Sequence, residues 1–125
     1  MFEVGKWYSA KDIADVVGGE LQTYLPQREG RIVAGRFNKQ MNPEAPERVY
    51  PARLPKVLDK AEILVRQGSP VPIFMKERKS DRGFKYLGRY KARSFSRDQA
   101  SIDSAQRRSG RDDLAGVLEL ERVRD

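Results

Sequence analysis

The sequence predicts an α+β domain in which three helices lie at the edges of a mostly antiparallel sheet that curls or forms a partial barrel. Apolar residues recur at helical spacing in residues 54–66. The apolar segment 71–76 and the alternating segment 84–95 are joined by a short polar turn, which is typical of an antiparallel hairpin. Helices and strands do not alternate regularly, so a parallel α/β sheet is disfavoured. A chain of 125 residues fits a single domain, residues 1–125.

The first two helices are predicted from their start signals and apolar periodicity. Residues 10–17 follow Ser9, a typical N-cap, and Asp12 stands at the third helical position, as in a capping box. The second helix is predicted over residues 54–66 and ends before Gly68. Its outward residues are expected to be Lys56, Asp59, Lys60 and Glu62.

A third helix is predicted over residues 97–108, with Ser96 and Gln99 as its capping box. This helix is polar, which is typical of a helix on the rim of a domain. Its inward residues are expected to be Ile102 and Ala105.

The remaining segments are predicted as strands and loops. Residues 20–30 read as an extended loop that ends in a turn, and residues 31–37 as a short strand buried on both sides. Residues 38–51 contain three prolines and form a long loop, with a short strand at residues 48–50. The chain closes with a strand over residues 114–123.

The positive charge is concentrated in residues 76–97. This segment holds nine basic and two acidic residues, so it carries the whole net charge of +7. Alternation along a strand puts Phe84, Tyr86, Gly88, Tyr90 and Ala92 on one face and Lys85, Leu87, Arg89, Lys91 and Arg93 on the other. A row of cations on one strand face is suited to a phosphate backbone, so Lys85, Arg89, Lys91 and Arg93 are predicted to contact nucleic-acid phosphates. The alternative is a solvated outer strand, because Lys and Arg also protect exposed sheet edges.

The composition excludes several classes of chemistry. The chain has no cysteine and no histidine, so it has no disulfide, no thiolate metal site, no cysteine nucleophile and no histidine general base. Glu77 and Lys79 match half of a metal-dependent nuclease pattern, but the nearest earlier acids, Asp59 and Glu62, fall on a predicted helix. The sequence therefore predicts a protein that is not an enzyme and uses no cofactor. It contains no apolar run of membrane-spanning length or signal-type core, which predicts a cytoplasmic protein without a membrane partner.

Four stretches together resemble a small domain fused to HNH-type nucleases in modification-dependent restriction enzymes: FEVGKWYSAKDIADVVGGELQTYLP, GRIVAGRFNKQMNPEAP, VPIFMKERKSDRGFKYLGRYKARSFS and LAGVLELERV. They also look similar to the PUA-like class, which includes the SRA and EVE readers of modified bases. The resemblance covers most of the chain and includes no catalytic signature. It implies a curled sheet or partial barrel whose concave face accepts a nucleic-acid base.

This chain departs from the fused proteins because an HNH motif needs histidine, and the chain has none. The resemblance therefore implies a base sensor that works with a partner nuclease or a fused nuclease domain. Restriction or defence is the biological role that it implies.

A base pocket needs flat side chains to stack on an extruded base and amide or hydroxyl groups to read its edge. The aromatic candidates are Tyr24, Phe37, Phe84, Tyr86 and Tyr90, and the loop candidates for reading the edge are Gln22, Thr23, Asn38 and Asn42. Of these, Tyr24, Phe37, Asn38 and Tyr86 are the predicted pocket. The alternatives are that the aromatic residues belong to the core and that the loop residues serve turns.

Two classes of function follow from these observations. The first is a nucleic-acid-binding module that reads modified or flipped bases, with DNA as the expected partner and RNA also possible. The second is a protein-interaction or regulatory domain whose basic strand meets an acidic partner.

Overall fold

The computed structural model describes residues 1–124, and within them three helices lie at the edges of a mixed, mostly antiparallel sheet that does not close into a barrel. The helices are α1 (Ala10–Val17), α2 (Pro55–Gln67) and α3 (Gln99–Ser109). The strands are β1 (Trp7–Tyr8), β2 (Gln27–Arg28), β3 (Arg31–Ile32), β4 (Gly35–Asn38), β5 (Arg48–Val49), β6 (Val71–Lys76), β7 (Phe84–Ser96) and β8 (Val117–Arg122). The predicted α+β class is confirmed.

The main sheet has the strand order β4-β6-β7-β8-β5, and β1 pairs with the beginning of β7. β4 and β6 are parallel, whereas the pairs β6–β7, β7–β8 and β8–β5 are antiparallel. β2 and β3 form a separate hairpin. The predicted hairpin of β6 and β7 is therefore confirmed, and the parallel pair β4 and β6 is joined through α2.

The long strand β7 is bent at two places where its pairing shifts. Between Ile73 and Phe74 the register moves from Gly88 to Tyr86, which leaves Leu87 without an opposite residue. A second shift lies between Ala92 and Ser94, opposite β8. Bulges of this kind bend a strand and increase its twist, so they explain why the sheet curls.

The first register shift reverses the direction in which the side chains of β7 point, so residues before and after it pack on opposite faces of the sheet. Tyr86 packs with Ile13 and Phe74, whereas Tyr90 packs with Ile73 and Leu118 in a different cluster. Ile73 and Phe74 are neighbours on β6 and so point to opposite faces of the sheet. The prediction that Tyr86 and Tyr90 share one face is therefore wrong, and so is the prediction of one continuous basic face, because Lys85 precedes the shift whereas Arg89, Lys91 and Arg93 follow it.

The helix predictions are mostly accurate. α1 spans the predicted residues, and Ser9 and Asp12 form the capping box. α2 begins one residue later than predicted and ends at Gly68, which is in the left-handed conformation. Lys60 of α2 does not point outward: it is buried, and its Nζ donates hydrogen bonds to Glu20 Oε2 at 2.9 Å and to the Leu25 carbonyl at 3.1 Å.

α3 begins later than predicted, because its N-cap is Asp98, whose side chain accepts a hydrogen bond from the Ser101 backbone. The capping box of Ser96 and Gln99 is therefore wrong. A carboxylate at the N-cap interacts better with the helix dipole than a hydroxyl does. Ala105 and Ile102 face inward as predicted and pack with Tyr50 and Leu114.

Three strand predictions need correction. The predicted strand over residues 31–37 is divided into β3 and β4, because the Val33 backbone donates instead to the Pro26 carbonyl at 2.9 Å. β1 lies where only a helix start was predicted. The final strand, β8, is shorter than predicted, and Leu114 forms only an isolated bridge with Ala52.

The largest core cluster joins α2 to one side of the sheet, and its members include Phe37, Leu64, Ile73, Tyr90 and Leu118. A second, aromatic cluster lies on the other side of the sheet against α1. Among the helices in residues 1–124, none combines the length and the apolar character needed to cross a membrane.

Candidate functional site

A cavity of about 530 Å³ lies where the ends of β4 and β6 and the beginning of β7 meet two loops. This volume is in the usual range for small-molecule sites. The lining residues come from loops, strand ends and one helix: Leu21, Gln22, Thr23, Tyr24, Arg36, Phe37, Asn38, Met41, Asn42, Val49, Tyr50, Pro51, Ala52, Val57, Lys76, Lys79, Phe84 and Arg111.

Tyr24 forms one wall and is attached to α2. Its hydroxyl donates a hydrogen bond to the Val57 carbonyl at 2.5 Å. Burial raises the pKa of the Tyr24 phenol. Because the hydroxyl is held by the backbone of a helix, the ring has a fixed orientation at the cavity.

Phe37 and Phe84 are two further aromatic residues at the cavity. Phe37 lies on β4 and is also part of the main core, with 1% of its surface exposed. Phe84 is the first residue of β7 and is half-buried. Three of the five aromatic candidates, Tyr24, Phe37 and Phe84, are therefore brought to one cavity.

The four loop candidates for reading a base edge, Gln22, Thr23, Asn38 and Asn42, all line this cavity. Asn38 Oδ1 accepts a hydrogen bond from the Gln40 backbone, and Asn42 Oδ1 accepts one from the Tyr50 backbone, both at 2.8 Å. A backbone N–H is always a donor, so the oxygen of each amide must be the end that is used. The Nδ2 groups of Asn38 and Asn42 have no hydrogen-bond partner within residues 1–124, and so each is a donor open to a ligand.

Tyr50 connects the cavity to α3 through a carboxylate. Its hydroxyl donates to Glu44 Oε1, and Glu44 Oε2 lies 3.2 Å from Arg48 Nη1 and 3.5 Å from Arg108 Nη1. Burial and the neighbouring carboxylate raise the pKa of Tyr50 to about 12. The Tyr50 hydroxyl and the two arginines lower the pKa of Glu44, so this carboxylate remains charged.

Arg36 is a buried cation in the cavity wall, and only 7% of its surface is exposed. Its Nη2 donates to the carbonyls of Leu21 and Thr23, and its Nε is buried without a hydrogen-bond partner. No carboxylate within residues 1–124 forms an ion pair with it. Burial lowers the pKa of Arg36, as expected for a cation removed from water.

The burial of Arg36 could not be predicted from the sequence. The only signal available was a single Arg inside an otherwise apolar and glycine-containing strand. An isolated cation at a strand position is equally typical of a solvated edge. Burial of Arg36 therefore required the loop carbonyls of Leu21 and Thr23, which are distant in sequence.

Two lysines and a second arginine complete the basic side of the cavity. Lys76 Nζ lies 4.5 Å from the centre of the Phe84 ring and donates to the Asp81 carbonyl at 3.1 Å. Lys79 is exposed. Arg111 is paired with Asp113, with its Nε 3.1 Å from Oδ1. The cavity is thus bordered by four cations, one of which is neutralised.

Tyr86 and Tyr90 do not line this cavity. Tyr86 is 6% exposed and belongs to the aromatic cluster against α1, where its ring centre is 5.1 Å from that of Phe74. Tyr90 is buried in the main core beside Leu118. The structure thus brings Tyr24, Phe37 and Asn38 together and places Tyr86 elsewhere.

The basic residues of β7 are exposed, as a phosphate contact requires. Lys85 follows Phe84 directly and so lies near the cavity, whereas Arg89, Lys91 and Arg93 lie further along the strand. At about 3.3 Å per residue, Arg93 is roughly 30 Å from the start of β7. Arg93 also faces Glu121, with Nε 4.0 Å from Oε2. Phosphate binding by these four residues remains a prediction.

The acids of the weak nuclease pattern do not come together. Within residues 1–124, no group of three acidic, histidine or cysteine side chains is placed to hold a metal ion. Glu77 is exposed in the turn after β6, while Asp59 and Glu62 lie on α2. The absence of enzymatic activity remains a prediction.

Comparisons with known proteins bear on the fold. No family model and no curated protein match the sequence. Among solved structures, the chain is similar to the SRA domain of SUVH5 in a crystal structure with hemimethylated CG DNA, with a TM-score of 0.62 and 12% sequence identity. The chain has an SRA-like fold. The similarity covers 99% of this chain and 90% of the SUVH5 chain, so it is not confined to one part of the fold.

The SRA-like fold gives the cavity a structural context. The sequence resemblance to the PUA-like class implied this architecture, and the structural comparison confirms it at the level of the fold. At 12% identity the fold can be shared while the side chains at a site differ, so residue roles must be argued from this chain's own cavity.

Proposed function

We propose that this protein reads modified bases in duplex DNA by holding an extruded base in the cavity. The observation that carries the proposal is a single cavity in which the rings of Tyr24, Phe37 and Phe84 stand beside the free amide donors of Asn38 and Asn42. The SRA-like fold supports it, because the similar SUVH5 domain was solved in complex with hemimethylated DNA.

The cavity supplies both kinds of contact that an extruded base needs. Stacking on an aromatic ring favours any base, whereas hydrogen bonds to the base edge distinguish one base from another. Tyr24 is well suited to stacking because its hydroxyl is already bonded to Val57 and its ring is fixed. Asn38 and Asn42 are suited to reading, because their free Nδ2 groups are donors at the cavity.

Phosphate contacts are assigned to the cations outside the cavity. In this proposal Lys85, Arg89, Lys91 and Arg93 bind the sugar-phosphate backbone and set the position of the duplex. Such contacts give affinity without sequence information, since every nucleotide carries the same phosphate. Lys79, exposed at the cavity, is a further candidate for the phosphate of the extruded nucleotide.

The proposal places the protein in restriction or defence in the cytoplasm, as the sensor of a modification-dependent system. Without histidine the chain has no HNH motif, so cleavage would come from a partner nuclease or a fused nuclease domain. A reader of this kind contributes specificity, and the nuclease contributes the chemistry.

The proposal can be tested by competition. A fluorescent duplex with one modified cytosine is bound, and unlabelled modified duplex, unmodified duplex, RNA duplex and an acidic polypeptide are compared as competitors. We expect the modified DNA duplex to compete best. If the acidic polypeptide competes as well as DNA, the protein is an acidic-partner binder and the proposal is wrong.

Base extrusion has its own readout. A 2-aminopurine placed next to the modified cytosine in the same strand, opposite a thymine, becomes more fluorescent when its neighbour unstacks, so its emission should rise on binding. Arg107→Ala is a control variant, since this exposed residue in the last turn of α3 does not line the cavity. It should give the same rise in emission as the parent protein. Binding without any rise in emission would contradict extrusion.

A further inference from the structure

The cavity has an unusual charge balance, and this balance indicates the kind of base that it accepts. Arg36, Lys76, Lys79 and Arg111 line the cavity, and none of the described lining residues is Asp or Glu. Arg111 is paired with Asp113. The other three cations have no ion pair within residues 1–124. Arg36, Lys76 and Lys79 therefore bring positive charge to the cavity without a paired carboxylate within residues 1–124.

Arg36 is the most informative of these cations because it is buried. Its Nη2 is held by two backbone carbonyls, and its buried Nε has no partner. The charge of Glu20 favours the charged form of Arg36, but Glu20 is itself paired with Lys60 at 2.9 Å. A buried cation without an ion pair of its own is unfavourable, and the cost falls when an anion enters the same low-dielectric region. The positive charge of Arg36 in the cavity wall thus favours the binding of a negatively charged ligand.

Two of the four uncharged polar side chains at the cavity, Asn38 and Asn42, have the same preference, whereas Gln22 and Thr23 offer both donors and acceptors. The amide oxygens of Asn38 and Asn42 are occupied by the backbone N–H groups of Gln40 and Tyr50, so the free ends of both amides are donors. Lysine and arginine are also donors only. The exocyclic amino group of a cytosine or adenine, itself a donor, finds no carboxylate here. Gln22 and Thr23 can accept from that amino group, whereas the cations and the two asparagines call for oxygen acceptors on the ligand.

We propose that the base read in this cavity carries an anionic, oxygen-bearing substituent such as a carboxylate, and not a simple methyl group. This inference rests on the proposed function. Lys76, Asn38 and Asn42 donate to the substituent, and Arg36 stabilises its charge from within the wall. A methyl group would offer these donors no acceptor and would leave Arg36 without a paired anion.

Two anionic groups of an extruded nucleotide could bind the cations of this cavity: a substituent on the base and the nucleotide's own phosphate. Binding to the substituent is distinguished from binding to the phosphate by keeping the phosphate constant and changing only the substituent. Matched duplexes carry cytosine with, at carbon 5, hydrogen, methyl, hydroxymethyl, formyl or carboxyl. We expect the carboxyl duplex to bind the unaltered protein at least about tenfold more tightly than the methyl duplex, as hydrogen bonds to charged groups are the stronger ones. The formyl duplex, with a neutral acceptor of similar size, should lie between them.

The outcomes distinguish this inference from the proposed function. Tighter binding of the methyl or hydroxymethyl duplex than of the carboxyl duplex would overturn the inference and leave base reading intact. Equal binding of all five duplexes would overturn both and assign the cations to the phosphate alone. These measurements use the unaltered protein, so no folding defect can obscure them.

A variant then tests the residue. Arg36→Gln keeps a polar side chain that can bond the same loop carbonyls, and it should reduce the advantage of the carboxyl duplex over the methyl duplex several-fold. Arg107→Gln, which removes an exposed cation away from the cavity, should leave that advantage unchanged. Because the readout is a ratio of two affinities, a general loss of binding competence cancels. An unchanged ratio in Arg36→Gln would overturn the role of Arg36.

Discussion

Tyr86 and Tyr90 are four residues apart on β7, yet they pack in two different clusters on opposite sides of the sheet. The change occurs at Gly88, whose φ is 118°. A Cβ at this position would lie 2.3 Å from Cζ of Arg122. The bent strand therefore depends on a residue with no side chain.

We expect Gly88→Ala to lower the free energy of unfolding by about 2 kcal/mol, because a φ of 118° is a conformation that residues with a side chain rarely adopt, while the flexible end of Arg122 can move aside at little cost. The measurement is urea denaturation of the purified protein. Gly110→Ala is the control: its φ is 74°, but the space around it is open, so only the backbone strain of about 1 kcal/mol should appear. Equal losses in the two variants would show that the backbone at Gly88 is no more demanding than an ordinary left-handed position.

A second prediction concerns salt. The whole net charge of +7 falls in residues 76–97, so duplex binding should weaken steeply as salt is added. With four phosphate contacts, the slope of log affinity against log salt should be roughly −3 to −4. Arg89→Ala should make the slope shallower by about one unit. Affinity measured by anisotropy over a salt series provides the test, and no binding at low salt contradicts the assignment.

A third prediction separates positioning from reading. Tyr24→Ala and Asn38→Ala should remove the preference for modified over unmodified duplex while weak general binding persists, because only the extruded base enters the cavity. Arg89→Ala should weaken both duplexes equally, since it lies on β7 away from the cavity. Affinities for matched duplexes decide between the two roles. If the cavity variants weaken both duplexes equally, the cavity does not read the base.

A fourth prediction follows from the buried phenol of Tyr50, whose pKa is raised to about 12. A group whose pKa is higher in the folded than in the unfolded state stabilises the fold below the unfolded value, near 10, and this stability is lost as pH rises through 12. The denaturant concentration at the midpoint of unfolding should therefore decrease as the pH is raised above 10. Burial raises the pKa of Tyr24 in the same direction, so the two tyrosines act together.

Tyr50→Phe isolates the contribution of Tyr50 to this pH dependence. It removes the hydroxyl that donates to Glu44, and it should flatten the alkaline loss of stability relative to the parent protein. The ultraviolet absorbance of tyrosinate provides a direct check, because one late-titrating phenol should disappear. Loss of a phenol that titrates near pH 10, with the late-titrating one retained, would mean that Tyr50 ionises at an ordinary pH.

A fifth prediction concerns hydrolysis. Supercoiled plasmid incubated with the protein and Mg²⁺ or Mn²⁺ should remain intact, because the weak pattern at Glu77 and Lys79 lacks a partner acid. Gel electrophoresis of the plasmid is the measurement. Cleavage that is lost in Glu77→Ala would revive the nuclease alternative.

The sequence by itself determined the features that depend on short-range interactions. Ser9 and Asp12 cap α1 because both side chains reach backbone groups within one turn. β6 has the predicted bounds because an apolar run between a proline-containing turn and a charged turn leaves little freedom. The hairpin of β6 and β7 follows from the same local signals.

Only the tertiary structure decided which residues form the cavity. Tyr24, Asn38 and Phe84 are far apart in sequence, and they meet because β4 pairs with β6 and β6 with β7. Arg36 is buried because loop carbonyls from residues 21–23 close over it. The faces of β7 are set by a register shift against β6, which period-two alternation cannot indicate. In each case the deciding contact is made by a partner strand or loop, and so no local pattern contains it.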